Sequence, residues 1–286
     1  MASESIYTLN DATESFEADR LSWQHGYFQG IMNDEPLPQH ITTELSSNPS
    51  PKILDLATGT GIWLTELAKV LPASAELDGL DFDSSKYPQK LPANIKLGYA
   101  NIFEPFPEEL HNRYDVVNIR FLVLATKIGD GVRLVSNVLP LLKPGGWIVW
   151  TDKSDLITNA EPPSSAWFKY QQLSYSYALS TGRDLGIPLN ICNYFKEAGY
   201  TNCDEQIYFG NSLLYGPRAS DHVARTHRAI KGYSKQHLLG IVANGGVDDL
   251  RTQEDATALI SKMEQEISGD RRFHFPLVRA WGHRPL

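Results

Sequence analysis

Residues 53–64 read "ILDLATGTGIWL": an apolar run breaks into small residues and then resumes with a different period. Ile53, Leu54 and Leu56 make a strand, and Asp55 sits among them near its end. Thr58, Gly59, Thr60 and Gly61 form a small-residue loop. "WLTELAKVL" then has helical spacing from Trp63 through Leu67 to Leu71. Glycine tolerates positive φ and puts no side chain between the backbone and a ligand. The first N–H groups of the following helix point into the same crevice. A strand, a glycine turn and a helix in this order predict a binding crevice at the end of a parallel sheet.

The spacing decides which ligand. A dinucleotide loop needs a third glycine three residues after the second, for close helix–strand packing. Leu64 stands there, with Trp63 beside it. The loop instead resembles motif I of the class I S-adenosylmethionine-dependent methyltransferases, acid-x-G-x-G-x-G. Asp55, Gly59 and Gly61 match it, and Ala57 replaces the first glycine. The resemblance implies a Rossmann-like α/β fold with a seven-stranded, mostly parallel sheet and helices on both faces. It implies that Asp55, Ala57, Thr58, Gly59 and Gly61 bind S-adenosylmethionine. A ligand-free structural turn is the alternative for the loop alone.

Later segments match in family order. "AELDGLDFDSS" is a second strand, and Asp81 lies about twenty residues past the loop, where a strand-end carboxylate accepts both ribose hydroxyls. Phe82 adjoins it, and Asp83 competes for the role. "KLGYANIFEPF" resembles the third strand and its adenine-side turn, where Asn101 replaces a common aspartate and Ile102 flanks the ring. "RYDVVNIRFLVLAT" resembles the fourth strand, whose end faces the methyl donor. There Arg120 is expected at the cofactor and Phe121 at the substrate. "LLKPGGWIVWTD" resembles the turn and the buried fifth strand.

The chain has 286 residues, 42% of them hydrophobic, and a formal net charge of -8. The acidic balance argues against a general nucleic-acid binder, and no N-P-P-aromatic motif follows the fourth strand. Two cysteines, Cys192 and Cys203, are too few for a disulfide framework or a cysteine-based zinc site, and no metal is expected. No stretch approaches the ~20 apolar residues of a membrane span. A cytoplasmic protein is the expectation. A homodimer or a protein partner stays open.

Residues 1–50 read as an N-terminal helical extension or lid, with Pro36, Pro38, Pro49 and Pro51 marking a loop into the first strand. Residues 51–286 read as the cofactor-binding domain, with helical cap insertions at about 160–185 and 213–270. "NCDEQIYFG" and "FHFPLVRAW" are expected to close the sheet as an antiparallel pair. "EADRLSWQH" and "AWGHRP" give a second resemblance, to fungal small-molecule methyltransferases of secondary metabolism and their regulatory relatives. In its acid-x-x-R-L-x-x-Q-H pattern Glu17, Arg20, Leu21, Gln24 and His25 match, and Asp19 is a second acid nearby.

Methyl transfer from a sulfonium is an in-line displacement, so the protein must align donor and acceptor and exclude water. His25 is the first candidate base for an O-acceptor, and a helix-face histidine is the plain alternative. His222, His227 and His237 are further histidines in the inserted helices. Arg20 is placed on the cofactor carboxylate, against an ion pair with Glu17. Trp23, Tyr27 and Phe121, with the stripe Trp167, Tyr170 and Tyr177, are the expected substrate wall, against a plain core reading of the stripe. Methylation of a small molecule at O, N or another nucleophile is the leading function. A cofactor-binding regulator or partner subunit, or a non-methylating rearrangement, is the alternative.

Overall fold

A computed structural model describes residues 14–154, 158–217 and 219–286, without the side chains of 14–19 and 211–212. The chain opens with α1 (Glu14–Ile31) and α2 (Gln39–Ser47). An alternating run follows: β1 (Lys52–Leu56), α3 (Ile62–Leu67), β2 (Glu76–Asp81), β3 (Ile95–Tyr99), β4 (Tyr114–Arg120), α4 (Asp130–Val138) and β5 (Leu142–Lys153). Then come β6 (Asn159–Glu161), α5 (Ser165–Ser180), α6 (Ile191–Glu197), β7 (Thr201–Tyr208), α7 (Asn211–Tyr215), α8 (Ala219–Ala243) and α9 (Gln253–Glu266). Two short strands end the order, β8 (Arg272–His274) and β9 (Leu277–His283).

The seven-stranded sheet has the order β3-β2-β1-β4-β5-β9-β7. β1 to β5 pair in parallel, while β9 runs antiparallel between β5 and β7. Side chains alternate across this sheet. Ile53, Val116 and Val149 pack with Trp63, Leu67, Ile41 and Leu45 under α2 and α3. Leu54, Val117, Ile119 and Trp150 pack on the other face with Leu134, Val135, Ile191 and Phe195 of α4 and α6. Both faces of the central strands are therefore apolar, as a parallel sheet covered on both sides requires.

Two elements differ from the sequence reading. The stretch between Pro38 and Pro49 is not a loop, because its nine proline-free residues form α2 and bury Ile41 and Leu45 at i, i+4. The expected closing strand is split into β8 and β9 at Pro276, which cannot donate to a ladder. β8 pairs with β6 away from the main sheet.

Close approach explains one glycine. A Cβ on Gly79 of β2 would lie 2.6 Å from Leu97 Cδ2 and 2.9 Å from both Leu64 Cδ1 and Thr58 Oγ1. Gly79→Ala is expected to cost about 1–3 kcal/mol by overpacking, measurable by denaturant unfolding; an unchanged midpoint would mean that α3 shifts freely against β2.

The third apolar cluster belongs to the cap. Tyr27, Phe28 and Ile31 of α1 join Trp167, Tyr170 and Tyr177 of α5, Ile230 and Leu238 of α8, Met263 of α9, and Phe273 and Phe275. α1 thus serves two layers, because Phe28 also stacks on Phe121 beyond β4, with ring centroids 4.6 Å apart. Among the described residues no helix is long and apolar enough to cross a membrane.

Candidate active site

A cavity of about 470 Å³ opens at the carboxyl ends of the strands, within the usual range for a small-molecule site. The glycine turn forms one wall. Ala57, Gly59 and Gly61 have φ of 55°, 58° and 73°, so the turn uses left-handed backbone at three positions. Ala57 adopts it despite its Cβ. Gly59 N–H donates to Asp81 Oδ2 at 2.7 Å, and Asp83 N–H donates to Asp81 Oδ1 at 2.9 Å. The Asp81 carboxylate is thereby fixed at the cavity wall with acceptor capacity remaining on each oxygen.

Asp55 has a different place from the one expected. It is 1% exposed and does not line the cavity. Its Oδ2 accepts from Thr58 Oγ at 2.8 Å and its Oδ1 from Asn118 Nδ2 at 2.7 Å. Burial pushes its pKa up, against Arg120 and these two donors. Asp55 therefore braces the turn from beneath. Gly61 also stays off the lining and serves as the left-handed start of α3.

At the other end, Ile102, Asn101 and Phe82 line the wall. Asn101 Oδ1, expected to accept from adenine, already accepts from Phe103 N–H at 3.1 Å, which leaves it one lone pair. Asp83 holds Ser85 through its own turn.

α1 crosses over the strand ends. Leu21 meets the position of a Gly59 Cβ at 3.4 Å, and Arg20, 2% exposed, lines the cavity and donates to Gln24. The side chains of Glu17 and Asp19 lie outside the described residues. One turn on, His25 Nδ1 lies 3.1 Å from Arg120 Nη1. A guanidinium has no lone pair, so Arg120 donates and Nδ1 accepts. The ring proton of neutral His25 is therefore on Nε2. Burial, then the charge of Arg120, pushes the His25 pKa down to about 3. A neutral imidazole in this tautomer presents a donor, Nε2–H, to the cavity. In this arrangement the Nδ1 lone pair of His25 is engaged by Arg120.

The expected substrate residues separate. Phe121 lines the cavity at φ 55°. Trp23 does not; it is 38% exposed, with the Arg228 guanidinium 5.3 Å from its ring. Tyr27 is buried against His222 at 5.1 Å, and burial raises its pKa. Trp167, Tyr170 and Tyr177 face the cap core, not the cavity. His237 is buried against Tyr170 Oη at 3.0 Å, and His227 Nε2 bonds Arg271 O at 2.7 Å. None of these three histidines, His222 included, lines the cavity.

Among the lining residues that the sequence reading did not single out are Asp152, Lys153 and Tyr233. Asp152, next to last in β5, accepts from Leu122 N at 2.8 Å, Val123 N at 3.0 Å, Trp150 Nε1 at 3.2 Å and Lys153 N at 2.9 Å. It pins the loop after β4, and burial pushes its pKa up to about 7 against those donors. Its signal was available: an acid near the end of a buried strand, as at Asp55 and Asp81. Lys153 lies 4.8 Å from the ring of Tyr233 on α8. Tyr233 had no local signal.

Residues 29–205 match the family model described as a methyltransferase domain. The chain belongs to the class I, S-adenosylmethionine-dependent methyltransferases. This methyltransferase is 33% identical to methyltransferase grgD of Penicillium sp, over 77% of each chain. It is 29% identical to N-methyltransferase tcpN of Claviceps purpurea, over 67% of this chain and 68% of that one. Its fold is similar to that of Haemonchus contortus phosphoethanolamine N-methyltransferase 2 in complex with S-adenosyl-L-methionine, with a TM-score of 0.51 at 15% identity. That match covers 100% of this chain and 61% of the longer one. The residues present fit the family's cofactor. The left-handed turn leaves room for it, the Asp81 carboxylate suits a diol, and Thr60 Oγ, His25 Nε2 and Arg120 Nε are buried with no hydrogen-bond partner among the described residues.

Proposed function

We propose that this methyltransferase methylates a small molecule, and that the accepting atom is a nitrogen. The observation that carries the reading is the chemistry at the β4–β5 end of the cavity. His25 presents Nε2–H as a donor, and the Asp152 carboxylate is engaged by four N–H donors. An amine brings its own lone pair, whereas an alcohol must lose a proton as it reacts. Phe121, Leu124 and Tyr233 supply an apolar wall suited to a carbon skeleton, and the name of tcpN points the same way.

The bound sulfonium supplies an activated methyl group. The protein's own residues do the rest. Asp81 accepts from the ribose hydroxyls, Ala57, Thr58 and Gly59 border the amino-acid end, and Ile102, Asn101 and Phe82 border the adenine. Arg20 pairs with the cofactor carboxylate. α1 acts as the lid, excluding water from the transfer.

Asp81→Ala removes the ribose acceptor and strands the Gly59 N–H. It is expected to weaken S-adenosylhomocysteine binding by about 1–3 kcal/mol, read by calorimetry; an unchanged Kd would take Asp81 out of the ribose role. The acceptor is tested with labelled S-adenosylmethionine and a panel of matched aromatic amines and phenols. Label on the amines alone supports nitrogen. Label on the phenols alone refutes it.

A further inference from the structure

Arg120 and His25 are built as a rigid pair. The Arg120 guanidinium lies 5.7 Å from the Trp63 ring and 5.8 Å from the Phe121 ring, so aromatic faces fix its plane. His25 is 7% exposed, and its Nδ1 is held by Arg120. Both residues line the cavity, and each keeps one buried N–H, His25 Nε2 and Arg120 Nε, with no partner among the described residues. An unmet buried donor costs free energy until an acceptor reaches it.

The local charge asks for an anion. Arg120 of β4, Thr151 of β5 and Arg279 of β9 are cross-strand neighbours, and Arg279 is 1% exposed with its own Nη1 unmet among the described residues. Two guanidiniums thus share one row of the sheet. Asp55, the carboxylate in electrostatic reach of Arg120, is already occupied by Thr58 and Asn118. Asp55 acts on Arg120 and Glu35 on Arg279, while the unmet N–H groups of Arg120 and His25 face the cavity with no acceptor among the described residues, a setting that favours a further negative charge there.

We propose that His25 Nε2–H and Arg120 Nε–H form a donor clamp for a ligand carboxylate, so that His25 binds and does not move a proton. The ligand chemistry, a carboxylate in a dry cavity, comes from the amino-acid end of the cofactor or from the acceptor. The cofactor arm rests on the methyl-donor reading above.

Calorimetry on the full chain separates the sources. S-adenosylhomocysteine carries the carboxylate and 5′-methylthioadenosine lacks it. Arg120→Met and His25→Phe are expected to weaken S-adenosylhomocysteine by about tenfold or more while leaving 5′-methylthioadenosine unchanged. His25→Gln restores much of the loss, because its amide N–H replaces Nε2–H. If S-adenosylhomocysteine is unaffected but 4-aminobenzoate no longer binds the S-adenosylhomocysteine complex of these variants, the clamp stands and its carboxylate is the acceptor's. Equal loss of both nucleosides means a structural role and overturns the clamp, as does no response from any of the three probes. A wild-type protein that binds neither nucleoside refutes the methyl-donor reading instead.

Discussion

Asp55→Ala is expected to lower the stability of the fold by about 3–5 kcal/mol and to loosen the glycine turn at the same time. The carboxylate is buried and has no water to replace its partners. Its removal strands the Thr58 hydroxyl and the Asn118 amide, each worth about 1–3 kcal/mol when buried without a partner. It also removes a negative charge that acts on Arg120. Asp55→Asn keeps the shape and one acceptor, so about half of that loss is expected. Urea unfolding at pH 7 measures both variants. A cost below about 1 kcal/mol for the alanine would mean that Thr58 and Asn118 find other partners, and that the turn does not depend on Asp55.

His222→Phe is expected to leave stability nearly unchanged at pH 7.5 and to raise it by about 1–2 kcal/mol at pH 4.5, after allowing for solvent screening of the charged ring. His222 is 6% exposed and stacks on Tyr27 with the rings 26° apart. Burial, and then Arg225, pushes its pKa down to about 4 from the ordinary 6.5. As pH falls, the unfolded chain takes up this proton before the folded one does. Folding therefore loses stability from about pH 6.5 down to about pH 4, and nothing above pH 7. His25 and His237, both pushed down to about 3, act in the same sense. Asp152, pushed up to about 7, acts in the opposite sense because the folded state protonates it first. Phenylalanine keeps the ring against Tyr27 and removes one titration. Thermal unfolding from pH 4.5 to 7.5 measures the difference, and parallel curves for variant and wild type would mean that His222 takes up its proton as readily in the folded as in the unfolded chain.

The sheet was readable because each parallel strand announces itself locally. An apolar run such as residues 53–56 or 147–150 carries an acid within or just beyond it, Asp55 or Asp152, and the family order of the segments gave the neighbours. α2 was hidden because its flanking prolines look like a loop until the unbroken stretch between them is weighed. The stripe Trp167, Tyr170 and Tyr177 was read correctly as one helix face, but a period does not say what that face meets. Here it meets the cap core. His25 shows the deeper limit. Its position in the N-terminal motif was visible, while its chemistry depends on Arg120, ninety-five residues away. A tautomer is set by the hydrogen bond made in space, which no local pattern carries.

β9 is the last strand in chain order and yet lies inside the sheet, between β5 and β7. Its Arg279 donates to Met32 Sδ and to the Glu35 carbonyl, just after α1. During synthesis β1 to β5 emerge early and can pair in order, but the chain that follows α1 cannot be fastened until residue 279 has left the ribosome. A nascent chain halted before that point would carry the glycine turn and the first five strands with the segment after α1 unfastened. The fastening of the segment after α1 is thereby a late event, made by a strand that enters the sheet after β1 to β5 have been synthesised.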